Sequence, residues 1–144
     1  ILRPCNIIGP NIKNVMVEYL RSKIAPLPMD YDPVFQFINE YDMARLISYS
    51  IENIPAGIYN VANGNDVMTL KDAKKRVEKR HIPVTLSLIA PLVRLINYSP
   101  WSVPDYLLDY LKFSCVISGE ALSKHLPSGF FQYDTEKSLQ TLKN

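Results

Sequence analysis

The side chains best suited to nucleophilic or metal chemistry are two cysteines and two histidines, and they are scattered along the chain. Cys5 and Cys115 are far apart, and neither has a second Cys or a His at metal-ligand spacing. His81 and His125 have no carboxylate or Cys partner at a useful spacing either. The pattern therefore predicts no metal site and no catalytic triad, and it favours two reduced, buried thiols in a cytoplasmic protein.

A basic cluster in the middle of the chain, residues 74–76 together with residues 79–81, has the charge to bind nucleic-acid phosphates. Apolar residues at Leu70, Ala73 and Val77 recur at helical spacing in the same segment, so its charged face is expected to lie in solvent. No aromatic residue is interleaved with the cluster for base stacking. Nucleic acid is therefore not a predicted partner.

The composition is that of one ordinary globular domain. Hydrophobic residues make up 47% and charged residues 21% of the 144 residues, and the formal net charge of +2 favours neither nucleic acid nor a membrane surface. The longest apolar run, residues 84–96, is interrupted by Pro91 and Arg94 and is shorter than the roughly 20 residues that span a bilayer. No membrane segment is therefore predicted. The chain opens at Ile1 without a signal-peptide pattern and leads directly into β-prone residues, so we expect it to belong to something larger.

The local elements that must position any site alternate between strand and helix, which is typical of an α/β chain. In the first half we predict a buried strand at residues 1–3 and a turn at 9–11. A helix capped by Asn14 follows, with Met16, Tyr19, Leu20 and Ile24 on one face. After it we predict a proline-rich loop at 26–33 and a strand at 35–38. Next come a helix capped by Asp42 with Met43, Ile47, Ser50, Ile51 and Ile54 inward, a strand at 58–62, and a helix whose capping box begins at Thr69.

The last third gives weaker patterns. We predict strands at residues 83–88 and 113–117, helices at 89–98 and 105–111, a helix capped by Ser118, and a terminal helix capped by Asp134 or Thr135. Boundaries in this region are expected to shift by several residues.

Three segments, residues 1–10 (ILRPCNIIGP), 35–44 (FQFINEYDMA) and 57–62 (GIYNVA), resemble in order and spacing three successive signatures of the extended short-chain dehydrogenases, the NAD-dependent epimerase/dehydratase family. The tail from residue 116 to residue 135 is similar to that family's closing segment. The resemblance implies an α/β fold that corresponds to the C-terminal part of the family fold, with the last Rossmann strands and the substrate-binding lobe. Residues 1–144 would then form one substrate-binding portion, and the N-terminal cofactor-binding half would be absent.

The resemblance also implies a site. The cofactor would be NAD or NADP, and the partners would be a small-molecule substrate, the absent N-terminal half of the parent enzyme and, as a further candidate, a second copy of the chain. The implied cofactor contacts are Pro4, Cys5, Asn6 and Ile7, and the implied substrate contacts are Asn6, Phe35, Gln36 and Asn39. For Asn6 a structural role in the turn is as well supported as a ligand contact, and for Asp42 helix capping is favoured over a ligand role.

The family's catalytic groups are not found among these residues. Its glycine-rich phosphate turn has no counterpart, because the five glycines are widely spaced. The family uses a Tyr and a Lys four residues apart, located before the strand that ends in Arg-Pro. The two such pairs here, Tyr19 with Lys23 and Tyr133 with Lys137, both come after that strand. We therefore expect no catalytic residue and no activity from this chain alone.

Departures from the family pattern bear on the substrate. Members that use sugar nucleotides clamp the diphosphate with Arg, but Phe35 stands at one such place and no Arg occurs between Trp101 and Phe113. Asn39 replaces the usual His, and Tyr41 replaces an acidic residue. A neutral or less phosphorylated substrate fits this pattern better than a sugar nucleotide does. The alternative function is a non-catalytic binding or protein-interaction module derived from the same fold.

Overall fold

The computed structural model describes residues 1–64, 66–88 and 106–143. The strands, in chain order, are β1 (Leu2–Pro4), β2 (Asn6–Ile8), β3 (Ile24–Pro28), β4 (Val34–Phe35), β5 (Phe37–Asn39), β6 (Tyr59–Val61), β7 (Met68–Thr69) and β8 (Arg80–Val84). The helices are α1 (Val15–Arg21), α2 (Glu40–Asn53), α3 (Leu70–Arg76), α4 (Tyr106–Lys112), α5 (Glu120–Ser123) and α6 (Thr135–Gln140).

The strands form pairs, and three of the four described pairs are parallel. β1 pairs with β6, β2 with β5, and β3 with β8, whereas β4 and β7 are antiparallel. Parallel neighbours require long crossover connections, and α2 lies in the connection between the paired strands β1 and β6, directly before β6. The mixed α/β architecture predicted from the alternation of elements is therefore present.

Strand β5 separates two hydrophobic cores because its successive side chains point to opposite sides. Phe37 belongs to the larger core, together with Ile8, Met16, Val17, Leu20, Leu27, Phe35, Leu70, Ala73, Val77, Leu139 and Leu142. Ile38 belongs to the smaller core, together with Cys5, Met43, Leu46, Val61, Ala62 and Leu122. The strand pair β2–β5 thus holds the segment around Cys5 between two packed layers.

Three helix starts follow their sequence signals. Asn14 accepts a hydrogen bond from the Val17 N–H at 2.8 Å, and Thr69 accepts one from the Asp72 N–H at 3.1 Å. Asp134 accepts one from the Lys137 N–H at 2.7 Å. Each of these bonds satisfies a backbone donor that has no partner within the helix, as a capping residue is expected to do.

Strand β3 replaces residues 26–28 of the predicted proline-rich loop, whereas residues 29–33 lie outside helices and strands as predicted, and the first helix is shorter than predicted. Helix α1 ends at Arg21, so Ile24 lies in β3 and is 61% exposed instead of sharing the helix face. Backbone polar groups alternate sides along a strand, and the Met29 N–H, just past β3, donates to the carbonyl of Val84 in β8. Pro26 and Pro28 therefore occupy positions whose missing N–H groups belong to the outer edge, where proline is tolerated.

Asp42 is not the cap of α2, contrary to the sequence prediction. Asn39 is the N-cap and accepts a hydrogen bond from the Tyr41 N–H at 2.9 Å. Asp42 lies in the first turn, is only 1% exposed, and accepts hydrogen bonds from the N–H of Gln132, at 3.0 Å to one of its oxygens, and of Tyr133, at 2.9 Å. It also forms a 2.6 Å ion pair with Arg45. Asp42 therefore joins α2 to the C-terminal segment.

The predicted inward face of α2 is wrong in part. Met43 is buried as expected, but Ile47 and Ile51 are 49% and 79% exposed, and Leu46 takes the buried position instead. The buried stripe has shifted because the helix begins at Glu40 and turns Asp42, Met43 and Leu46 toward the smaller core and the C-terminal segment.

Lys74 corrects the prediction that the basic cluster is wholly solvated. Its side chain is fully buried, and its Nζ donates to the carbonyls of Tyr19 at 2.8 Å, Leu20 at 3.1 Å and Ser22 at 2.8 Å. These carbonyls lie at the end of α1, where helix acceptors lack internal partners and a cation is favourable. Burial, with a contribution from Lys79, lowers the pKa of Lys74 to about 8.

Other predictions shift in detail. The first strand, β1, is largely exposed, and the strand predicted at residues 35–38 is divided into β4 and β5 at Gln36. The strand predicted at 83–88 is instead β8, which ends at Val84 and is followed by helical residues 86–88. The helix predicted at 89–98 lies outside the described residues. The helix predicted at 105–111 corresponds to α4.

The segment after α4 is less regular than predicted. Residues 113–117 form only a single bridge, from Cys115 to Phe35, in place of a strand. Cys115 is exposed, so the expectation of two buried thiols holds for Cys5 alone. Helix α5 has Gly119 as its N-cap, and Ser118 contributes only a 3.4 Å contact from its Oγ to the Glu120 N–H.

Candidate functional site

A cavity of about 540 Å³ lies beside the loop that joins β1 to β2. This volume is within the usual range for small-molecule sites. Strand β2 and the preceding residue form one wall of the cavity, and helix α1 forms another. One residue of β3, one of α3 and two of α4 complete the lining. The described lining consists of Cys5, Asn6, Ile7, Asn14, Val15, Met16, Tyr19, Pro26, Leu70, Tyr110 and Leu111.

The β1–β2 loop is held in place by backbone pairing on both sides. The Cys5 N–H donates to the Val61 carbonyl at 3.0 Å, which continues the β1–β6 pairing. The Asn6 N–H and its side-chain Nδ2 both donate to the Gln36 carbonyl, at 3.3 and 3.2 Å. The Asn6 side chain therefore has a structural role in the turn. The sequence left open whether Asn6 has this role or contacts a ligand.

Helix α1 is fixed to the same loop by its capping residue. Asn14 accepts from the Val17 N–H through Oδ1 and donates from Nδ2 to the Ile7 carbonyl at 2.8 Å. At the other end of the helix, the Tyr19 hydroxyl donates to the Pro26 carbonyl at 2.6 Å. These two contacts set the distance between α1, β2 and β3, and so they define the width of the cavity.

The described lining is electrically neutral. It contains no Asp, Glu, Lys, Arg or His. Burial raises the pKa of the Cys5 thiol to about 12 and that of the Tyr19 phenol to about 12, so both groups are uncharged at neutral pH. The cavity thus offers apolar contact and a few neutral dipoles.

Three of the four predicted cofactor contacts are together in this cavity. Cys5, Asn6 and Ile7 line it, whereas Pro4 is exposed at the end of β1 and is not part of the lining. The grouping follows directly from the continuous segment, and their role as cofactor contacts stays a prediction.

The predicted substrate contacts other than Asn6 lie in the protein interior. Phe35 is fully buried, with its ring stacked parallel to that of Tyr110 at a centroid distance of 6.3 Å. Gln36 is 2% exposed, donates to the Gly64 carbonyl at 3.2 Å and accepts from the Ile117 N–H at 2.8 Å. Asn39 is fully buried and caps α2. None of these three belongs to the described lining, and their substrate role remains a prediction.

Sequence reasoning did not assign Asn14, Tyr19 or Tyr110 to a site. Asn14 was recognised only as a cap, and Tyr19 as a member of a helix face and of a Tyr-Lys spacing to which no role was assigned. The signal available for both was their position just after the loop of residues 4–7, since the next helix must pack beside that loop. Tyr110 carried no such signal, because α4 is far away in sequence and meets the cavity only through tertiary packing.

Neither Tyr-Lys spacing lies within a single helix. Helix α1 ends at Arg21, before Lys23, and Tyr133 lies ahead of the first residue of α6. The Nζ of Lys74 lies 5.3 Å from the centroid of the Tyr19 ring.

The described lining does not fit the pyrophosphate of a dinucleotide. Phosphate oxygens are held by cations or by amides of a glycine-rich helix start, and the described part of the cavity wall contains neither. No group of three or more His, Cys, Asp or Glu residues in the described segments is arranged to hold a metal ion. Within those segments, none of the helices combines the length and apolarity needed to cross a membrane.

Comparison with solved structures places this fold among NAD(P)-dependent epimerases and dehydratases. The human epimerase family protein SDR39U1, solved with NADPH, has a TM-score of 0.66 and 14% identity over 99% of this chain and 47% of its own. The dTDP-glucose 4,6-dehydratase of Bacillus anthracis in complex with NAD has a TM-score of 0.61 and 18% identity over 99% and 42%. The UDP-glucose 4-epimerase of Thermus thermophilus in complex with NAD has a TM-score of 0.57 and 16% identity, over 99% of this chain and 46% of its own.

These comparisons confirm the predicted fold class. The chain has the α/β fold of the extended short-chain dehydrogenases and spans less than half the length of the three structures described above. No protein-family model matches the sequence, and no curated protein sequence matches it.

Proposed function

We propose that this chain is the substrate-binding portion of an NAD(P)-dependent epimerase/dehydratase-like oxidoreductase. The cofactor-binding half and the catalytic Tyr-Lys pair would be supplied by a further segment of the parent protein. The observation that carries this proposal is the extent of the structural match, which covers 98–99% of this chain but only 40–47% of each neighbour.

The cavity supports the proposal that the substrate and the cofactor phosphates are bound by different halves of the parent protein. Cys5, Asn6 and Ile7 form a neutral wall that suits an uncharged ring or a substrate, while the described lining holds no group for the cofactor's phosphates. A dinucleotide therefore requires a second set of residues to bind tightly. No chemical step is assigned to this chain on its own.

The exposed apolar surface near β1 and β6 also supports a covering segment. Ile1 and Ile58 are 76% and 56% exposed, and the Tyr59 N–H donates to the Ile1 carbonyl, so the two lie close together. Ile47 and Ile51 form a second exposed pair one helical turn apart on α2. Large apolar side chains in such groups are typical of surfaces that another polypeptide covers.

A cofactor titration tests the proposal. NADH and NADPH are titrated into the purified chain while nicotinamide fluorescence is followed, with the Thermus thermophilus UDP-glucose 4-epimerase as the positive control. We expect no saturable binding by the chain up to about 1 mM, because ordering a dinucleotide without a phosphate grip is unfavourable. Saturable binding at micromolar concentration would refute the division between the halves.

The alternative, a non-catalytic interaction module, is favoured by the two well-packed cores, since each contains fully buried side chains. Such a module is expected to unfold cooperatively and to bind little dye that reports exposed apolar surface. The substrate-binding portion is expected to bind that dye at the surface formed by Ile1, Ile47, Ile51 and Ile58. Replacing Ile51 and Ile58 with Thr should then lower the dye signal below that of the wild type without removing the part bound in the cavity beside the β1–β2 loop, and an unchanged signal would favour the interaction module.

A further inference from the structure

We infer that the cavity beside the β1–β2 loop takes an uncharged, predominantly apolar small molecule and rejects nucleoside diphosphates. The inference rests on the proposed function, because it names the substrate class of the proposed substrate-binding portion. It goes beyond the structural comparison, since two of the enzymes that share the fold are named for nucleoside diphosphate sugars.

The first argument concerns charge. No Asp, Glu, Lys, Arg or His occurs in the described lining, and its titratable groups are the Cys5 thiol and the Tyr19 and Tyr110 phenols. Burial raises the pKa of Cys5 and of Tyr19 to about 12. A diphosphate placed here would lose water without gaining a cation. Desolvation of an unpaired charge is strongly unfavourable, so this wall selects against anions.

The second argument concerns the polar atoms that remain. The Asn14 side chain donates a hydrogen bond to the Ile7 carbonyl and accepts one from the Val17 N–H. The Tyr19 hydroxyl donates to the Pro26 carbonyl. The Nδ2 of Asn6 is engaged by the Gln36 carbonyl. The cavity therefore recognises a ligand mainly by shape and apolar contact with Val15, Met16, Leu70 and Leu111.

The third argument concerns access. Val15 is 49% exposed and Tyr110 is 44% exposed, so the lining continues to the protein surface at α1 and α4. Met16 and Leu70 are 8% and 1% exposed and form the interior part. A small molecule can therefore enter past Val15 and Tyr110 without displacement of the core.

The test uses Nile red, an uncharged apolar fluorophore, and UDP as the competing nucleoside diphosphate. Val15→Asp introduces a short charged group into the lining at the first helical residue, where an acid is compatible with the helix dipole. Val67→Asp is the matched control, because Val67 has a similar exposure, 44%, and is not part of the lining. Circular dichroism melts establish that both variants fold.

We expect Nile red to bind the wild-type chain saturably, Val15→Asp to raise its Kd at least tenfold, and Val67→Asp to change it less than twofold. UDP at 5 mM should not displace the dye. Displacement by UDP would overturn the substrate class and leave the proposed function standing. Equal effects of the two substitutions, or no binding by the wild type, would overturn the cavity as the site.

A second readout requires no charged substitution. Cys5 lines the cavity and Cys115 does not, so Cys115→Ser leaves Cys5 as the only thiol. Saturating Nile red should slow alkylation of Cys5 by N-ethylmaleimide at least fivefold. An unchanged rate would overturn the inference, and the proposed function would still be judged separately by the cofactor titration.

Discussion

Replacement of Asp42 by Ala should destabilise the chain by about 3–4 kcal/mol. The carboxylate is 1% exposed and accepts hydrogen bonds from the backbone N–H groups of Gln132 and Tyr133 and from Arg45. Each hydrogen bond to a charged group contributes about 1.5–3 kcal/mol. The Ala variant no longer bears the desolvation cost of a buried carboxylate, which offsets part of the summed loss. Asp42→Asn keeps one acceptor oxygen and should lose about half as much.

The assay is urea denaturation, combined with hydrogen exchange at the amides of Gln132 and Tyr133. Both amides should exchange faster in Asp42→Ala, because they lose their acceptor before the whole chain unfolds. Glu52→Ala is the control, since Glu52 is an exposed acidic residue on the same helix and should change stability by less than about 0.5 kcal/mol. A loss below about 1 kcal/mol for Asp42→Ala, or unchanged exchange at the two amides, would refute the proposed link between α2 and the C-terminal segment.

Three further predictions concern lysine and cysteine side chains. Lys74→Met should lower the free energy of unfolding by about 2–3 kcal/mol, because it leaves three carbonyls of the α1 terminus without their donor. The control is the exposed Lys75, whose replacement by Met should lower that free energy by less than about 0.5 kcal/mol. Urea melts measure both, and equal losses would contradict the capping role of Lys74. Ellman's reagent should modify one thiol rapidly, Cys115, and the buried Cys5, whose pKa is raised to about 12, far more slowly; two equally fast thiols would contradict the described packing. The contribution of Cys5 to stability should be lost as pH rises from about 9 toward 12, because the unfolded Cys5 thiol loses its proton near 9.0 while the folded one keeps it to about 12. Lys74 acts in the opposite direction between about 8 and 10.5, so the test compares the pH dependence of urea melts of the wild type and Cys5→Ala, and identical pH dependence would contradict the raised pKa of Cys5.

Much of the fold could be predicted because the signals were local. The caps at Asn14, Thr69 and Asp134 depend on a side chain three residues from its backbone donor. The alternation of strands and helices likewise follows from short-range periodicity. The resemblance of residues 1–10, 35–44 and 57–62 to known signatures then gave the fold class.

The failures arose where tertiary partners decide the outcome. The prolines at residues 26 and 28 indicate a loop by propensity, but pairing with β8 makes the segment a strand. Lys74 looked like part of a solvated face because its carbonyl partners are more than 50 residues away. For α2 the signal was present and misread: Asn39 and Asp42 have the three-residue spacing of a capping box, with Asn39 as the cap.

The candidate site was only partly accessible to sequence reasoning. The continuous segment from Cys5 to Ile7 was identified, because one loop supplies all of it. Phe35 and Asn39 were named from family position, yet the structure places both in the interior. Tyr110 reaches the cavity through α4, and no periodicity or motif indicates that contact.

The pair of prolines in β3 has a consequence for solubility. An open strand edge with free amides can recruit a strand from another molecule and begin aggregation. Along the outer edge of β3, Pro26 and Pro28 have no amide to offer, and the Pro26 carbonyl already receives the Tyr19 hydroxyl. Two of the three outward-facing positions of β3 therefore lack an N–H group, which disfavours pairing with a strand of another molecule, and replacement of both prolines with Val should increase self-association.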